Sequence, residues 1–534
     1  MASKRGSSGS KKIALYAIIG IIAVAVVSVS LFARGGSNNN NSLQQNVQNS
    51  QEESLKKFQA QFCGVNPQAN STSYIREFVL PSECEMPLGL TIDDGRVWYV
   101  STKQGIFGSF SIADSKFEER QIPSWPSRSN PTAQPSMSWS VRSDGAGNIW
   151  FTDQAQNAIW RFNKSTETFD MFITPARYPA SFDFDSNGNL YLTGIQSHSL
   201  YFGEVSKMKN GTSEGFTEIT LPLDGFAGID PDLITSGSLV VDNDRKDVWM
   251  PVLAFEQKGQ IFRYDIDTKK VDLVVDLPDD LRSPVGAAID SSGNLWITDH
   301  ATSTFFKYDS VSGEFVKFVT GTTSPKIYGG TTPPNAYALP YWIDKAPDGS
   351  LWFNEHTGNK IARFDPDNLA LKEYWIPSQN RLWALCPDGA QPCGLANALQ
   401  FAIGPDNQVW FTEWTENKIG SVNTQQQVPI SVSLDKEELS VQRGNAVEIK
   451  VSINATDRFE GSMMAAGTFA PNGGIINATG TFSQESVSLD AGGQKQISYV
   501  FTPSDSLKAG RYVIMLGAGN DEISYQMAIK VTVI

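Results

Sequence analysis

The sequence predicts an all-β protein: a seven-bladed β-propeller followed by an immunoglobulin-like β-sandwich, with a transmembrane helix near the N-terminus. Three observations predict it: a motif repeated seven times between Trp98 and Trp410, an alternation of apolar and polar residues after Val422, and an uncharged apolar run early in the chain. A chain of 534 residues is too long for a single core. We therefore expect a cytoplasmic N-terminus (1–12), a membrane anchor (13–33), a spacer rich in Asn, Gln and Ser (34–62), a propeller (63–425) and a sandwich (428–534).

The repeated motif is an Asp, Asn or Gly turn, an aromatic pair or its equivalent, and then an acidic or small residue. The copies read DDGRVWYVS, GAGNIWFTD, SNGNLYLTG, DRKDVWMPV, SSGNLWITD, PDGSLWFNE and PDNQVWFTE, and they end at Ser101, Asp153, Gly194, Val252, Asp299, Glu355 and Glu413. A repeat of about 40 to 50 residues is typical of propeller blades, because one four-stranded blade cannot bury both of its faces and must stack on its neighbours.

A second set of strand-like segments alternates with the motif, at 77–81, 118–123, 169–175, 216–222, 271–278, 315–321 and 371–377. The first of them precedes the first motif, and the last motif ends on KIGSV without such a segment after it. Segment 77–81 is therefore expected to supply the outer strand of the last blade. This pairing would close the ring and remove two sheet edges.

The last hundred residues change to a period of two, as in AVEIKVSI and SYQMAIKVTV, with Gly and Asp turns between the runs. This pattern predicts an immunoglobulin-like sandwich, although the Cys, Trp, Cys series of immunoglobulins is absent. The preceding segment 423–427 (NTQQQ) has the composition of a linker. We therefore expect the sandwich to fold independently, as a spacer or docking module.

Segment 13–33 is an uncharged apolar run of 21 residues, long enough to cross a bilayer as a helix. Only Arg34 follows it closely, whereas four basic residues precede it: Lys4, Arg5, Lys11 and Lys12. The positive-inside rule then places the N-terminus in the cytoplasm and the bulk of the chain outside a membrane that it crosses once. We expect an uncleaved signal anchor in the cell membrane, and a cleaved signal peptide is the alternative.

Charge and cysteine content fit an exported protein. The net charge of −14 argues against a nucleic-acid partner, which needs a basic surface. The cysteines form two local pairs, Cys63 with Cys84 and Cys386 with Cys393, which we expect to be disulfides, with free buried thiols as the alternative. Acceptor triplets for N-glycosylation occur at Asn40, Asn70, Asn163, Asn210, Asn454 and Asn477.

Two positions in each blade are expected to line one mouth of the central channel. Counting along the repeats places Leu88, Trp139, Ala180, Ser238, Val285, Tyr341 and Leu399 at the first position, and the motif's last residue at the second. Asp299, Glu355 and Glu413 would then lie on consecutive blades, where grouped carboxylates favour Mg²⁺ or Ca²⁺. The alternative is that these carboxylates accept hydrogen bonds from backbone N–H groups at strand ends.

His300 and His356 directly follow Asp299 and Glu355. In a regular strand they would face away from the carboxylates, and only a loosened strand end would let both reach the mouth. Two long loops, 320–340 and 379–400, are further candidates for recognition.

The repeats WFNEHTGNKIARFDPDN and WFTEWTENKIGSVNT resemble those of the streptogramin lyase (virginiamycin B lyase) family of seven-bladed propellers, over about 77–422. The resemblance implies a Mg²⁺-dependent elimination that opens a cyclic depsipeptide, in which a base removes an α-hydrogen and the metal stabilises the enolate. The family signature is Pro-His-Gly at the start of a late blade and a glutamate after the aromatic pair. Here Glu355 and Glu413 match the glutamate, but Tyr341 and Leu399 stand at the histidine position. A tyrosine with a pKa of about 10 is a poor base at neutral pH.

Two functions follow from these patterns. The first is a surface protein that binds a peptide, glycan, small molecule or envelope protein at the mouth, through Trp139, Tyr341, His300 and His356. The second is a metal-dependent carbon–oxygen lyase or hydrolase acting on an ester or lactone. It would use Glu355 and Tyr341 in catalysis, with Asp299, Glu355 and Glu413 at the cation.

Overall fold

The computed structural model describes residues 64, 68–128, 134–254, 257–320, 337–384, 386, 393–467 and 477–534. The expected membrane anchor, the spacer, Cys63, Asn40, most of loop 320–340 and part of loop 379–400 lie outside these residues. Within the described part, no helix is both long enough and apolar enough to cross a membrane.

The first part of the chain folds into antiparallel sheets of consecutive strands, which we call blades. They comprise β2–β5 (Pro87–Asp93, Arg96–Ser101, Ile106–Ser111, Lys116–Gln121), β6–β9 (Val141–Ser143, Asn148–Asp153, Ala158–Asn163, Thr168–Ile173) and β10–β13 (Pro179–Phe184, Leu190–Gly194, Ser199–Gly203, Phe216–Thr220). The next is β14–β18 (Ile234–Ser236, Val240–Asp242, Asp247–Ala254, Lys258–Asp265, Lys270–Asp276), whose inner strand is broken in two. Then follow β19–β22 (Pro284–Ile289, Leu295–Asp299, Thr304–Tyr308, Phe315–Val319) and β23–β26 (Pro340–Lys345, Leu351–Glu355, Lys360–Asp365, Ala370–Trp375).

The ring closes by pairing strands from its two ends. Strand β1 (Ile75–Val79) lies antiparallel to β29 (Lys418–Val422), which continues the sheet of β27 (Phe401–Ile403) and β28 (Val409–Glu413). The register runs from Ile75 opposite Val422 to Val79 opposite Lys418. The closure expected from the sequence is therefore observed.

The motif forms the second strand of each blade, and its composition follows from its position. Strand β24 is buried along its whole length because neighbouring blades cover both of its faces. A strand buried on both sides reads as a nearly continuous apolar run, and Trp352 within it is 1% exposed. The turn before it uses Gly349 at φ +85°, which suits glycine.

Shortly after the motif, two blades carry the sequence Asn-Lys-Ile, beginning at Asn359 and Asn417. This Asn connects its blade to the chain that enters the next one. Asn359 and Asn417 both adopt positive φ in the turn after the motif. The Asn359 side chain donates to the Ile376 and Ser378 carbonyl oxygens and accepts from the Ala396 N–H. These bonds satisfy backbone groups that would otherwise be buried without partners.

Short 3₁₀ helices interrupt the loops at Val205–Lys207, Asp224–Phe226, Pro231–Leu233 and Arg381–Trp383. The C-terminal unit that follows the ring is built from strands alone in its described part. These are β30–β38: Ile430–Leu434, Glu438–Val441, Val447–Ala455, Gly461–Gly467, Ala478–Phe482, Ser486–Leu489, Gln494–Pro503, Gly510–Gly519 and Ile523–Val533. One sheet has the order β30-β32-β36-β34, and the other contains β31, β33, β35, β37 and β38. Their facing apolar residues, such as Val451, Tyr499 and Ile529, share one core.

Backbone pairing joins this unit to the ring, which the linker composition of 423–427 did not indicate. The hairpin β37–β38 lies between the outer strands of two blades. Strand β38 pairs antiparallel with β26, from Ala370 opposite Met527 to Tyr374 opposite Ile523, and β37 meets β22 at Phe318 and Val513. Two edges of the propeller are thus covered by the C-terminal unit.

Candidate functional site

The mouth of the channel holds a cavity of about 140 Å³ with mostly apolar walls. Five of its lining residues were predicted at the mouth from their position in the repeats: Trp139, Ala180, Ser238, Val285 and Tyr341. Leu88 and Leu399 lie in the apolar cluster beside it, with Trp139, Met86 and Trp414. Among the described residues that line the cavity, none is Lys, Arg, Asp or Glu. The cavity is therefore suited to an uncharged group.

An aromatic pair narrows the mouth. Trp139 precedes β6 and Tyr341 lies in β23, so their strands belong to blades that are not neighbours, yet their ring centroids are 6.1 Å apart. The Trp139 Nε1–H donates to Gln154 Oε1 at 2.8 Å, which holds the indole in place. Burial raises the pKa of Tyr341 above its ordinary value, so its phenol stays protonated at neutral pH.

His300 and His356 form a hydrogen-bonded pair at the mouth. His300 Nε2 and His356 Nδ1 are 3.1 Å apart, and His356 Nε2 lies 2.9 Å from Asn397 Oδ1. His300 also lines the cavity, with its ring edge-on to Tyr341 at 4.7 Å. Burial lowers the pKa of His300 well below its usual value and that of His356 to about 4. Both imidazoles are therefore neutral at pH 7.

The predicted metal ligands lie elsewhere. Asp299 accepts hydrogen bonds from the N–H groups of Ser283 at 2.8 Å and Ala301 at 3.1 Å, and from Thr302 Oγ1 at 2.9 Å. The Asp299 oxygens therefore accept hydrogen bonds at the end of the strand, which was the alternative expected from the sequence. Asp153 likewise accepts hydrogen bonds, from Ser136 Oγ, Gln156 Nε2 and Trp160 Nε1.

Glu355 pairs with a buried lysine of the next strand in its own blade. Its Oε2 is 2.8 Å from Lys360 Nζ, which also lies 2.7 Å from Glu373 Oε1, and all three side chains are at most 2% exposed. The other oxygen of Glu373 accepts from Ser524 Oγ at 2.5 Å and Gln526 Nε2 at 2.7 Å, both on β38. Burial, with the negative charge of Glu373 next, raises the pKa of Glu355 well above its usual value.

Glu413 lies beside a second buried ion pair one blade further on, that of Lys418 with Glu77. Lys418 Nζ is 3.2 Å from Glu77 Oε2 and donates to Ser378 Oγ at 2.6 Å. Burial and then the charge of Glu77 raise the pKa of Glu413 well above its ordinary range. Glu355 thus belongs to one buried ion-pair network, and Glu413 lies beside another.

Strand geometry explains this separation. Strands β20 and β24 end at Asp299 and Glu355, so successive side chains there point to opposite sides. The carboxylates turn into the blades, and the histidines that follow meet at the mouth. Among the residues described, no group of three or more His, Cys, Asp or Glu side chains is arranged to hold a metal ion.

Glu85 is a further buried carboxyl that the sequence did not single out. It accepts hydrogen bonds from Ser101 Oγ and from the Ser82 N–H at 3.0 Å. Burial raises its pKa from 4.5 to about 8, against the hydrogen bond from Ser101, and the charge of Glu119 adds to the rise. The folded state therefore holds a proton that the unfolded chain releases between these values.

This proton predicts a pH dependence of stability. Since the native state binds more protons between pH 4.5 and about 8, the stabilisation is complete below pH 4.5 and is lost as the pH rises through about 8. We expect Glu85→Gln to reduce the fall in unfolding free energy between pH 5 and pH 8 by an amount on the order of 3 kcal/mol. Urea denaturation at both pH values measures it. An equal fall in wild type and variant would show that Glu85 does not titrate in this range.

The remaining predicted residues are the cysteines and the acceptors for N-glycosylation. Cys386 and Cys393 are joined by a disulfide with a Cα–Cα distance of 5.8 Å, and Cys84 is also disulfide-bonded. Asn210 and Asn477 are exposed, whereas Asn70, Asn163 and Asn454 are half-buried. The Asn163 Oδ1 accepts from the Ser165 and Thr166 N–H groups in a turn.

Sequence reasoning missed Asn397 and Gln400. Asn397 anchors the histidine pair, and Gln400 lines the cavity. Both lie at the end of the long loop 379–400, where no repeat position marks them. The adjacent Leu399 was found because it follows the repeat count.

The sheets and the mouth define a β-propeller protein with an aromatic, uncharged cavity. Neither protein-family models nor curated proteins give a match to the chain. Solved structures similar to it include a streptogramin B lyase (21% identity, 66% of this chain and 97% of that chain, TM-score 0.49). Others are virginiamycin B lyase from Staphylococcus aureus (20%, 65% and 98%, 0.48) and a WD40-repeat protein (10%, 66% and 98%, 0.44). Such a likeness concerns the fold alone, and the propeller identification depends on the sheets of this chain.

Proposed function

We propose that this protein is a seven-bladed propeller with an immunoglobulin-like C-terminal sandwich that binds a small uncharged ligand at the channel mouth. The observation that carries the proposal is the cavity of about 140 Å³ walled by Trp139, Val285 and Tyr341, whose described lining residues carry no charge. A ligand site of this kind is concave and apolar, with few polar groups to orient what it binds.

We further propose that segment 13–33 anchors the chain in the cell membrane, with the propeller outside. The support is the excess of basic residues before the apolar run, together with the disulfide between Cys386 and Cys393. Glycans on the exposed Asn210 and Asn477 would fit this location.

The alternative, a lyase or hydrolase using Mg²⁺ or Ca²⁺, has less support. Its intended ligand Glu355 pairs with the buried Lys360, Glu413 lies beside the buried pair of Lys418 and Glu77, and Tyr341 stands where the resemblance expects a histidine base. The proposal of a binding protein therefore comes first.

A cavity-filling variant tests the binding function. Ala180 lines the cavity, whereas Ala146 is exposed in a turn of the adjacent blade. We expect uncharged six-membered-ring compounds to bind the wild-type protein in saturation-transfer NMR, Ala180→Trp to abolish the signal, and Ala146→Trp to retain it. Equal binding by Ala180→Trp, or no binding by any protein, would contradict the proposed site.

A further inference from the structure

Two polar groups at the mouth, the side-chain amide of Gln400 and His300 Nδ1, have no hydrogen-bond partner among the described residues. Gln400 is 3% exposed, and its Nε2 has no hydrogen-bond partner among the described residues. Other polar side chains of the cavity are committed to the backbone: Ser236 Oγ donates to the Ser197 carbonyl oxygen, and Ser238 Oγ to that of Val285. A buried donor without a partner destabilises the folded protein, so the Gln400 amide marks a place for a ligand oxygen.

The second group is His300 Nδ1, and its character follows from the hydrogen-bond chain. Asn397 Oδ1 can only accept, so His356 Nε2 carries the hydrogen and His356 Nδ1 is a lone pair. His300 Nε2 must then donate to it, which leaves the neutral His300 with a lone pair on Nδ1. The Asn397 Nδ2, 3.5 Å from Thr415 Oγ1, fits this amide orientation. In the described part of the chain, no donor reaches His300 Nδ1.

Size limits what the cavity can hold. A dry apolar cavity of about 150 Å³ in a protein accepts benzene, and the cavity here is about 140 Å³. A cavity of this size accommodates one six-membered ring with at most a methyl substituent. Trp342 Nε1 is a further donor for which the structure describes no partner, but the Trp342 ring also packs under the Arg142 guanidinium at 5.5 Å.

We propose that the mouth binds an uncharged ring bearing a secondary amide, whose carbonyl oxygen accepts from Gln400 Nε2 and whose N–H donates to His300 Nδ1. This inference deepens the proposed binding function and depends on it. The apolar walls take the ring methylenes, and a lining without charged side chains in the described part of the chain disfavours ions.

The probe is 2-piperidone, a six-membered lactam, compared by NMR titration with N-methyl-2-piperidone, cyclohexanone and methylcyclohexane. We expect 2-piperidone to bind most tightly. Because N-methylation removes the donor, N-methyl-2-piperidone should bind about tenfold more weakly. Gln400→Met, of similar length, should weaken 2-piperidone about tenfold and leave methylcyclohexane unchanged. Gln496→Met, on an exposed strand position, is the matched control.

The outcomes separate the two proposals. Equal affinity for the lactam and methylcyclohexane in wild type overturns the amide assignment and leaves the binding function standing. No binding of any of the four compounds, with only water in the cavity, overturns both. If Gln400→Met does not fold, the ratio between 2-piperidone and its N-methyl derivative in wild type decides, and a ratio near one refutes the inference.

Discussion

Replacing Lys360 by methionine should lower the free energy of unfolding by about 3–5 kcal/mol. Lys360 is fully buried between Glu355 and Glu373, and methionine would leave their carboxyl groups inside the protein without a cation. Removing one partner of a buried ion pair costs far more than the pair itself contributes, because the remaining charge is not resolvated. Urea denaturation followed by tryptophan fluorescence measures the change.

Two further variants test whether the missing buried cation causes the loss of stability. Lys116→Met, at a side chain that is 76% exposed, should change stability by no more than about 1 kcal/mol. Adding Glu355→Gln and Glu373→Gln to Lys360→Met should recover part of the lost unfolding free energy, since the neutral amides leave no buried charge without a counter-ion. A loss at Lys360 as small as that at Lys116 would contradict a buried network.

A chain that ends at Gln427 should be less stable than the full chain by about 5 kcal/mol or more. Removing the C-terminal unit strips β38 from β26 and takes Ser524 and Gln526 from Glu373. It also uncovers the apolar cluster in which Met515 packs against Phe364 and Leu371. The exposed edge of β26 should in addition promote aggregation.

Thermal and urea unfolding of the shortened and full chains give the difference, and light scattering reports aggregation. In the full chain, Gln526→Leu should cost about 1.5–3 kcal/mol, because it removes one hydrogen bond to a buried charge. A shortened chain as stable and monodisperse as the full one would show that the propeller does not need its C-terminal unit, as the linker composition of 423–427 suggested.

The sequence was most informative where a physical constraint repeats. Every blade must bury its second strand on both faces, so the aromatic motif recurs and can be counted. The same count placed Trp139 and Tyr341 at the mouth, although they lie 202 residues apart in the chain. Ring closure by β1 was predictable because a missing outer strand and an unassigned strand occur at opposite ends of one repeat series.

By itself, then, the sequence determined the blades, the closure and the aromatic mouth, because periodic burial leaves a periodic pattern. Only the tertiary structure decided which way the side chains at the strand ends turn: Glu355 toward Lys360, and His300 toward the cavity. It also decided that hairpin β37–β38 pairs with the ring and that no described residue accepts a hydrogen bond from Gln400 Nε2. These features depend on contacts between distant segments, and a contact that occurs once leaves no period to read.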